Sequence, residues 1–301
     1  MPVKSRMLRS QMLWGYVFIA PAALGLLMFV VLPVVASLAL SFTDWNGNNG
    51  FRFIGLKNFA QLFRDPVYLR AMRNTALYAI VTVPATIAAA VVVAALLNRN
   101  IRGRNVYRTI YFIPAVTMPV AVAVVWKWLY NSSHGLFNYL LGLAGIPGPS
   151  WLTDPDVILW SVMIIAVWAG IGNNMVILLA GLQGIPETYY EAATIDGASG
   201  WRRFLHITVP LLTPAIFFVT VTSFIGSFQV FDLVYIITPS SGAGGGVLMD
   251  ATRTAVYSIY QNGFQWFKLG YASAQAWMLF LLILAITLVQ LRLQTKWVHY
   301  E

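Results

Sequence analysis

The sequence predicts an all-α integral membrane protein, a bundle of six transmembrane helices with both termini in the cytoplasm. Three observations predict it: 59% of the 301 residues are hydrophobic, only 10% are charged, and six uncharged apolar runs reach or approach the length of a membrane crossing. An ordinary soluble domain carries roughly 25% charged residues. A polar disordered chain would not contain 14% aromatic residues. With no cysteine, disulfides, thiolate metal sites, iron–sulfur clusters and a cysteine nucleophile are excluded.

The apolar runs cover residues 12–42, 76–97, 110–126, 157–182, 211–237 and 271–291. A hydrocarbon core of about 30 Å needs about 20 apolar residues in helical form. The first run is longer than that and holds Pro21 and Pro33, which predict a kink or an interfacial turn. Its basic start at Lys4, Arg6 and Arg9 resembles that of a signal peptide, but the run is too long and lacks a small-residue cleavage site. It reads as a retained first helix.

Six crossings place both termini on one side, and the cations choose the side. Lys4, Arg6, Arg9, Arg99, Arg102, Arg104, Arg108, Arg202, Arg203, Arg292 and Lys296 then fall inside, a majority of the 19 basic residues. The net charge of +9 lies in short clusters between apolar runs, so it reads as a topology signal and not as a nucleic-acid footprint. Of the outer loops, 43–75 holds a turn at 44–50, a short amphipathic helix around Asn58 to Phe63 and a stop at Asp65-Pro66. Segment 131–156 is rich in Gly and Pro, and segment 238–270 opens on a glycine-rich stretch ending at Gly246. The resulting organisation is a tail over 1–11, a membrane domain over 12–293 and a tail over 294–301.

Segment 183–210, on the inner side, reads as two short helices. Pro186 fits a first helical position, Glu187 complements the helix dipole, Gly197 permits the left-handed conformation that ends a helix, and Ser199 caps the next. Ala192, Ala193, Gly197 and Ala198 leave little side-chain bulk, which lets another protein's backbone approach. From composition this is either a docking surface or an ordinary helical loop at the membrane surface.

Polar groups inside a span tend to face a cavity or another helix. In the fifth run Thr220, Ser223 and Ser227 share one helical side, with Gly226 thinning it and Gln229 beside it. In the fourth, Asn173 and Asn174 are adjacent. These residues either line a route for a neutral, hydroxyl-rich solute or bond their own carbonyls and neighbouring helices. Asp232 is the acid of the spans, near an outer end. Trp126 and Trp128 fit an aromatic belt beside a snorkelling Lys127. His134, His206 and His299 are isolated from one another, so no metal or catalytic triad is supported.

One pattern is more specific. Glu191-Ala192-Ala193, three residues, Gly197, nine residues, Ile207, one residue and Val209-Pro210 resembles the EAA loop of binding-protein-dependent ABC importers, with Val209 in place of the usual Leu. The likeness extends over nearly the whole chain, through residues 20–33, 40–46, 53–63, Asp65-Pro66, Arg73-Asn74-Thr75, 180–193 and 288–301. It points to the first permease subunit of the carbohydrate branch, similar to maltose-type and glycerol-phosphate-type permeases. The stretch from Thr238 to Gly246 departs from the family's Thr, one residue, Gly-Gly-Pro.

The resemblance implies a type I ABC importer transmembrane domain in a prokaryotic inner or plasma membrane. It implies a second homologous permease forming a heterodimer, two ABC ATPase subunits and an extracytoplasmic sugar-binding protein. Glu191, Ala192, Ala193, Asp196 and Gly197 would form the coupling helix seated in an ATPase cleft. This chain has no Gly-x4-Gly-Lys-Ser/Thr loop, so the resemblance places ATP and Mg on the partners, with no cofactor or metal on this chain and no catalytic residue. In permeases of the maltose type, sugar contacts align with Gly170, Asn173, Ser223, Gly226, Ser227 and Val230. With Asn174 and Gln229 these make the expected substrate pathway for a mono-, di- or oligosaccharide. The alternatives are a glycerol-phosphate-type substrate in the same class, or a stand-alone secondary transporter, which would need its own ion site.

Overall fold

The computed structural model describes residues 3–47, 50–99, 101–238 and 245–297. The described residues form helices and loops, with one isolated antiparallel bridge between Thr43 and Phe53. In chain order the helices are α1 (Val3–Leu26), α2 (Leu32–Ser41), α3 (Lys57–Leu62), α4 (Pro66–Leu97), α5 (Arg104–Val116), α6 (Pro119–Leu129), α7 (Leu136–Leu143) and α8 (Ile158–Gln183). They continue as α9 (Glu187–Ile195), α10 (Gly200–Arg203), α11 (Val209–Leu211), α12 (Thr213–Phe228), α13 (Asp232–Ile237), α14 (Gly245–Thr252), α15 (Ala255–Tyr260) and α16 (Leu269–Trp297). Most of the glycine-rich stretch before Gly246 and the last residues of the C-terminal tail lie outside the described residues.

Among the described residues, four helical stretches are long and apolar enough to cross a membrane: Ser10–Ser41, Pro66–Leu97, Ile158–Gln183 and Leu269–Thr295. The number becomes six when two bent pairs are each taken as one span. All six apolar runs of the sequence reappear in this set, but two are not the straight crossings expected.

Proline accounts for both bends. The run expected over 110–126 breaks between α5 and α6 with a bend of 101°. Met118, which precedes Pro119, is extended at φ −56°, ψ 131°, because the proline ring disfavours helical backbone in the residue before it. Between α11 and α12 the chain bends by 64° just before Pro214. Pro214 has no N–H for the carbonyl of Pro210, four residues back; the Thr213 hydroxyl donates to that carbonyl instead, at 2.6 Å. The fifth run breaks again over 229–231, before α13, so 211–237 is not one helix.

Proline also follows two π-helical turns. Leu27–Val31 joins α1 to α2 just before Pro33, and Phe204–Thr208 joins α10 to α11 just before Pro210. A proline clashes with the carbonyl four residues earlier, and a wider turn relieves that clash. At the other end of the chain's second span, α4 begins ten residues before the expected Ala76. Asp65 caps it by accepting from the Val67 and Tyr68 amides at 2.9 and 3.3 Å, with Pro66 in the first turn. Asp65-Pro66 is therefore a start signal for α4 as well as a stop for α3.

The chain divides into two compact units. One comprises residues 1–62 and 259–278. In it the Asn58 amide donates to the Ser41 and Thr43 carbonyls at 2.8 and 2.9 Å, Gly270 N–H donates to the Trp45 carbonyl at 3.1 Å, and Trp277 Nε1 donates to Ser37 Oγ at 3.1 Å. The most apolar stretch of Ser10–Ser41 is not buried by the rest of the chain, as suits a helix facing lipid or another subunit.

The other unit comprises residues 63–258 and 279–301. Its core has two clusters, one around Trp126, Tyr130, Val162, Ile165 and Ile237, the other around Ala90, Ala94, Leu97, Met175, Leu178 and Val219. Trp126 is thus a core residue, packed on Tyr130, Phe137 and Trp168, and not part of an aromatic belt; Trp128 is exposed. Within this unit α4 and α8 pack against each other, α5 lies against α8, and α12 contacts both α4 and α8. Gly172 makes the α5 approach feasible, because a Cβ there would collide with the Tyr111 carbonyl.

Candidate functional site

The packing of α4, α8 and α12 frames an open cavity of about 250 Å³. Each helix contributes a polar edge. From α8 come Gly170 and Asn174, and from α12 come Ser223, Gly226 and Ser227, with Val230 just beyond its end. The remaining edge was not anticipated: Tyr78, Thr82 and Thr86, spaced four apart on α4 and therefore on one helical face. That hydroxyl stripe is visible in the sequence of the second run, and it was the available signal.

Asn174 is buried and serves two purposes. Its amide nitrogen donates to the Gly170 carbonyl at 3.1 Å, while its oxygen accepts from the Ser223 hydroxyl at 3.4 Å, linking α8 to α12 at the cavity wall. Ser227 and Thr82 are also buried, and they turn their hydroxyls back to the carbonyls of Phe224 and Tyr78 at 2.9 and 2.7 Å. Such a hydroxyl keeps acceptor lone pairs for a solute. Gly226 has open space where a Cβ would stand, whereas a Cβ on Gly170 would crowd the Thr86 methyl. Thr220 is outside this wall; it bonds the Ile216 carbonyl at 2.6 Å.

A second cavity, about 500 Å³, opens at the bend between α5 and α6. It shares Gly170, Gly226 and Val230 with the first and adds Asn173, Gln229, Phe231 and Asp232. The structure thus distributes the expected pathway residues over two adjoining spaces. Gln229 is not on the helical side of Ser223 and Ser227, because α12 has ended and Gln229 begins the break. Asp232 is exposed and lines the larger space.

The segment between α8 and α12 forms the expected pair of short helices. Pro186 is the residue before α9 and not its first, and Glu187 occupies the first turn. Gly197 ends α9 at φ +73°, with the Ala198 N–H donating to the Ala193 carbonyl at 2.9 Å. Ser199 Oγ accepts from the Arg202 amide at 3.4 Å and caps α10. Two contacts hold α9 to the following segment: the Tyr190 and Thr208 hydroxyls at 3.0 Å, and Arg203 Nη1 donating to Thr194 Oγ1 at 2.9 Å. Ala193 is buried, whereas Glu191, Ala192, Asp196 and Gly197 are exposed and Ile195 is 87% exposed. A small-residue face with a projecting isoleucine is thereby left open.

A family model described as "Binding-protein-dependent transport system inner membrane component" matches residues 83–299. A probable ABC transporter permease protein, YesP of Bacillus subtilis, is 40% identical over 99% of this chain and 96% of its own length. The lactose transport system permease protein LacF of Rhizobium radiobacter is 36% identical over 92% of each chain. The sn-glycerol-3-phosphate transport system permease protein UgpA of Agrobacterium fabrum is 33% identical over 95% of this chain and 96% of its own. Among solved structures, a chain of a bacterial alginate ABC transporter, in complex with an alginate pentasaccharide-bound periplasmic protein, superposes with a TM-score of 0.84. It does so at 21% identity, covering 98% of both chains.

Proposed function

The chain belongs to the family of inner membrane components of binding-protein-dependent transport systems, and from that premise we propose that it is the sugar-translocating permease subunit of an ATP-driven ABC importer. The observation that carries the sugar reading is the wall of the smaller cavity: five hydroxyl-bearing residues, Tyr78, Thr82, Thr86, Ser223 and Ser227, the Asn174 amide and two glycines, with no charged residue among the described residues that line it. Hydroxyls and amides exchange hydrogen bonds with sugar hydroxyls, and glycine lets a ring approach the backbone. The relative named for lactose transport supports the same class.

In this reading the permease pairs with a second homologous permease, two ATPase subunits and an extracytoplasmic sugar-binding protein. Glu191, Ala192, Asp196 and Gly197, exposed on α9 and at its end, with the small Ala193 buried beneath them, dock into the ATPase on the cytoplasmic side, where both termini also lie. ATP and Mg act on the partners. Closure of the ATPase pair moves α9, and the bonds from Tyr190 and Thr194 to Thr208 and Arg203 pass that movement toward α12 and the cavity. The chain's own work is to bind, orient and release solute by alternating access.

The experiment is affinity purification of the chain from its native membrane, with mass identification of the partners and uptake assays in vesicles containing the recovered complex. Recovery of an ATPase, a second permease and a sugar-binding protein is expected, with ATP-dependent uptake of the ligand of that binding protein. Recovery of the chain alone, with gradient-driven uptake, overturns the reading. Uptake of glycerol phosphate in place of a sugar would retain the importer and reject the sugar.

A further inference from the structure

We propose that Asp232 makes the larger cavity select against anionic solutes and grip a neutral polyhydroxy solute through two adjacent hydroxyls. The inference rests on the transport reading and narrows the substrate class it admits. The cavity at the α5–α6 bend is lined by one acid, Asp232, two amides, Asn173 and Gln229, the Thr117 hydroxyl and the ring of Phe231. Among the described residues, no Lys, Arg or His lines it or the smaller cavity beside it. Asp232, Asn173 and Gln229 are exposed and line this space, and their side chains have no hydrogen-bond or ion-pair partner among the described residues.

A carboxylate accepts hydrogen bonds at both oxygens and donates none when ionised. Neighbouring hydroxyls on a sugar ring supply two such donors at matched spacing, while the amides supply both donors and acceptors. A phosphate or uronate offers acceptors where the cavity already holds an acceptor charge, and the lining provides no cation to offset it. Like charges a few ångströms apart repel by about 1 kcal/mol even at the dielectric constant of water. The lining therefore combines a contact for the favoured solute with a penalty for its anionic analogue.

The chain has no native cysteine, so a single introduced thiol reports the field in the cavity. Gly226 borders both spaces and leaves room for a side chain, which makes Gly226→Cys the reporter; Gln229→Cys, in the same lining, is used if the first fails to assemble. The complete complex in membrane vesicles is treated with methanethiosulfonates carrying a trimethylammonium or a sulfonate head. Each rate on this chain is divided by that reagent's rate with a small free thiol. The cationic reagent is expected to react roughly tenfold faster than the anionic one. Asp232→Asn should bring the ratio close to one, and Asp232→Glu should keep it. A ratio near or below one with Asp232 present, or one that Asp232→Asn leaves unchanged, overturns the proposal. The measurement needs no transport. Uptake is measured separately on the complex with no introduced cysteine: a ratio that follows Asp232 while that complex moves no sugar would leave the charge assignment standing and reject the transport reading, and sugar uptake by it with a ratio near one would do the reverse.

Discussion

The Ser223 hydroxyl on α12 lies 3.4 Å from the amide oxygen of Asn174 on α8, while the same amide's nitrogen donates to the Gly170 carbonyl at 3.1 Å. One buried side chain thus joins two helices and forms part of the cavity wall. Polar contacts between membrane helices are worth about 0.6 kcal/mol on average, so this link positions the wall more than it stabilises the fold. A solute that displaced Ser223 from Asn174 would loosen α12 from α8 at little cost.

Filling the smaller cavity should stop transport without disturbing assembly. Ser227 is buried against a space of about 250 Å³, into which an indole would project and narrow the passage. Ser227→Trp is expected to abolish uptake while the complex still co-purifies with its ATPase. Uptake at the wild-type rate would remove Ser227 from the path.

At the end of α9, Gly197 has a positive φ and free space around it. A bulky substitution there costs about 1–2 kcal/mol of left-handed strain and also fills the small-residue face. Gly197→Val should abolish uptake and transport-coupled ATP hydrolysis while the chain stays in the membrane at normal abundance. Gly197→Asn, which tolerates the conformation better, should retain more of both activities. Equal activity for the two variants and the wild type would sink the coupling assignment.

Two glycines separate packing from openness. A Cβ on Gly172 would collide with the Tyr111 backbone, whereas one on Gly226 meets nothing within 4 Å. Gly172→Ala should destabilise the purified complex by about 1–3 kcal/mol, as overpacking does, and Gly226→Ala by less than about 0.5 kcal/mol. Thermal unfolding followed by tryptophan fluorescence would compare them; a larger loss at Gly226 would contradict the packing of α5 on α8.

Orientation can be read with the same cysteine-free background. With the termini cytoplasmic, an impermeant maleimide applied to intact cells should label Asp156→Cys and not Arg102→Cys, both exposed positions. Opening the cells should expose Arg102→Cys. The opposite pattern would invert the topology.

How much of this was legible follows from where each feature's physics resides. The six apolar runs could be read because transfer of a stretch into hydrocarbon depends on its own composition. The helix pair at 187–203 could be read because Gly197 and Ser199 act on backbone within a few residues of themselves. The bend between α5 and α6 had its cause in plain view at Pro119, yet the 17-residue run was read as one crossing because hydropathy does not register direction. The start of α4 at Asp65 was likewise local, and was read as a stop.

The amino-acid order alone determined that this chain is helical, membrane-embedded and equipped with a small-residue turn between its fourth and fifth spans, because hydration, backbone freedom and capping are set by neighbours in sequence. Only the tertiary structure decided that Tyr78, Thr82 and Thr86 face Asn174, Ser223 and Ser227, and that Asn173, Gln229 and Asp232 open into a different space. In a uniformly apolar span no face is marked as inward by water. The choice falls to contacts between helices, such as the Tyr111 carbonyl against Gly172 and the Thr86 methyl beside Gly170, and those exist only once distant segments have packed.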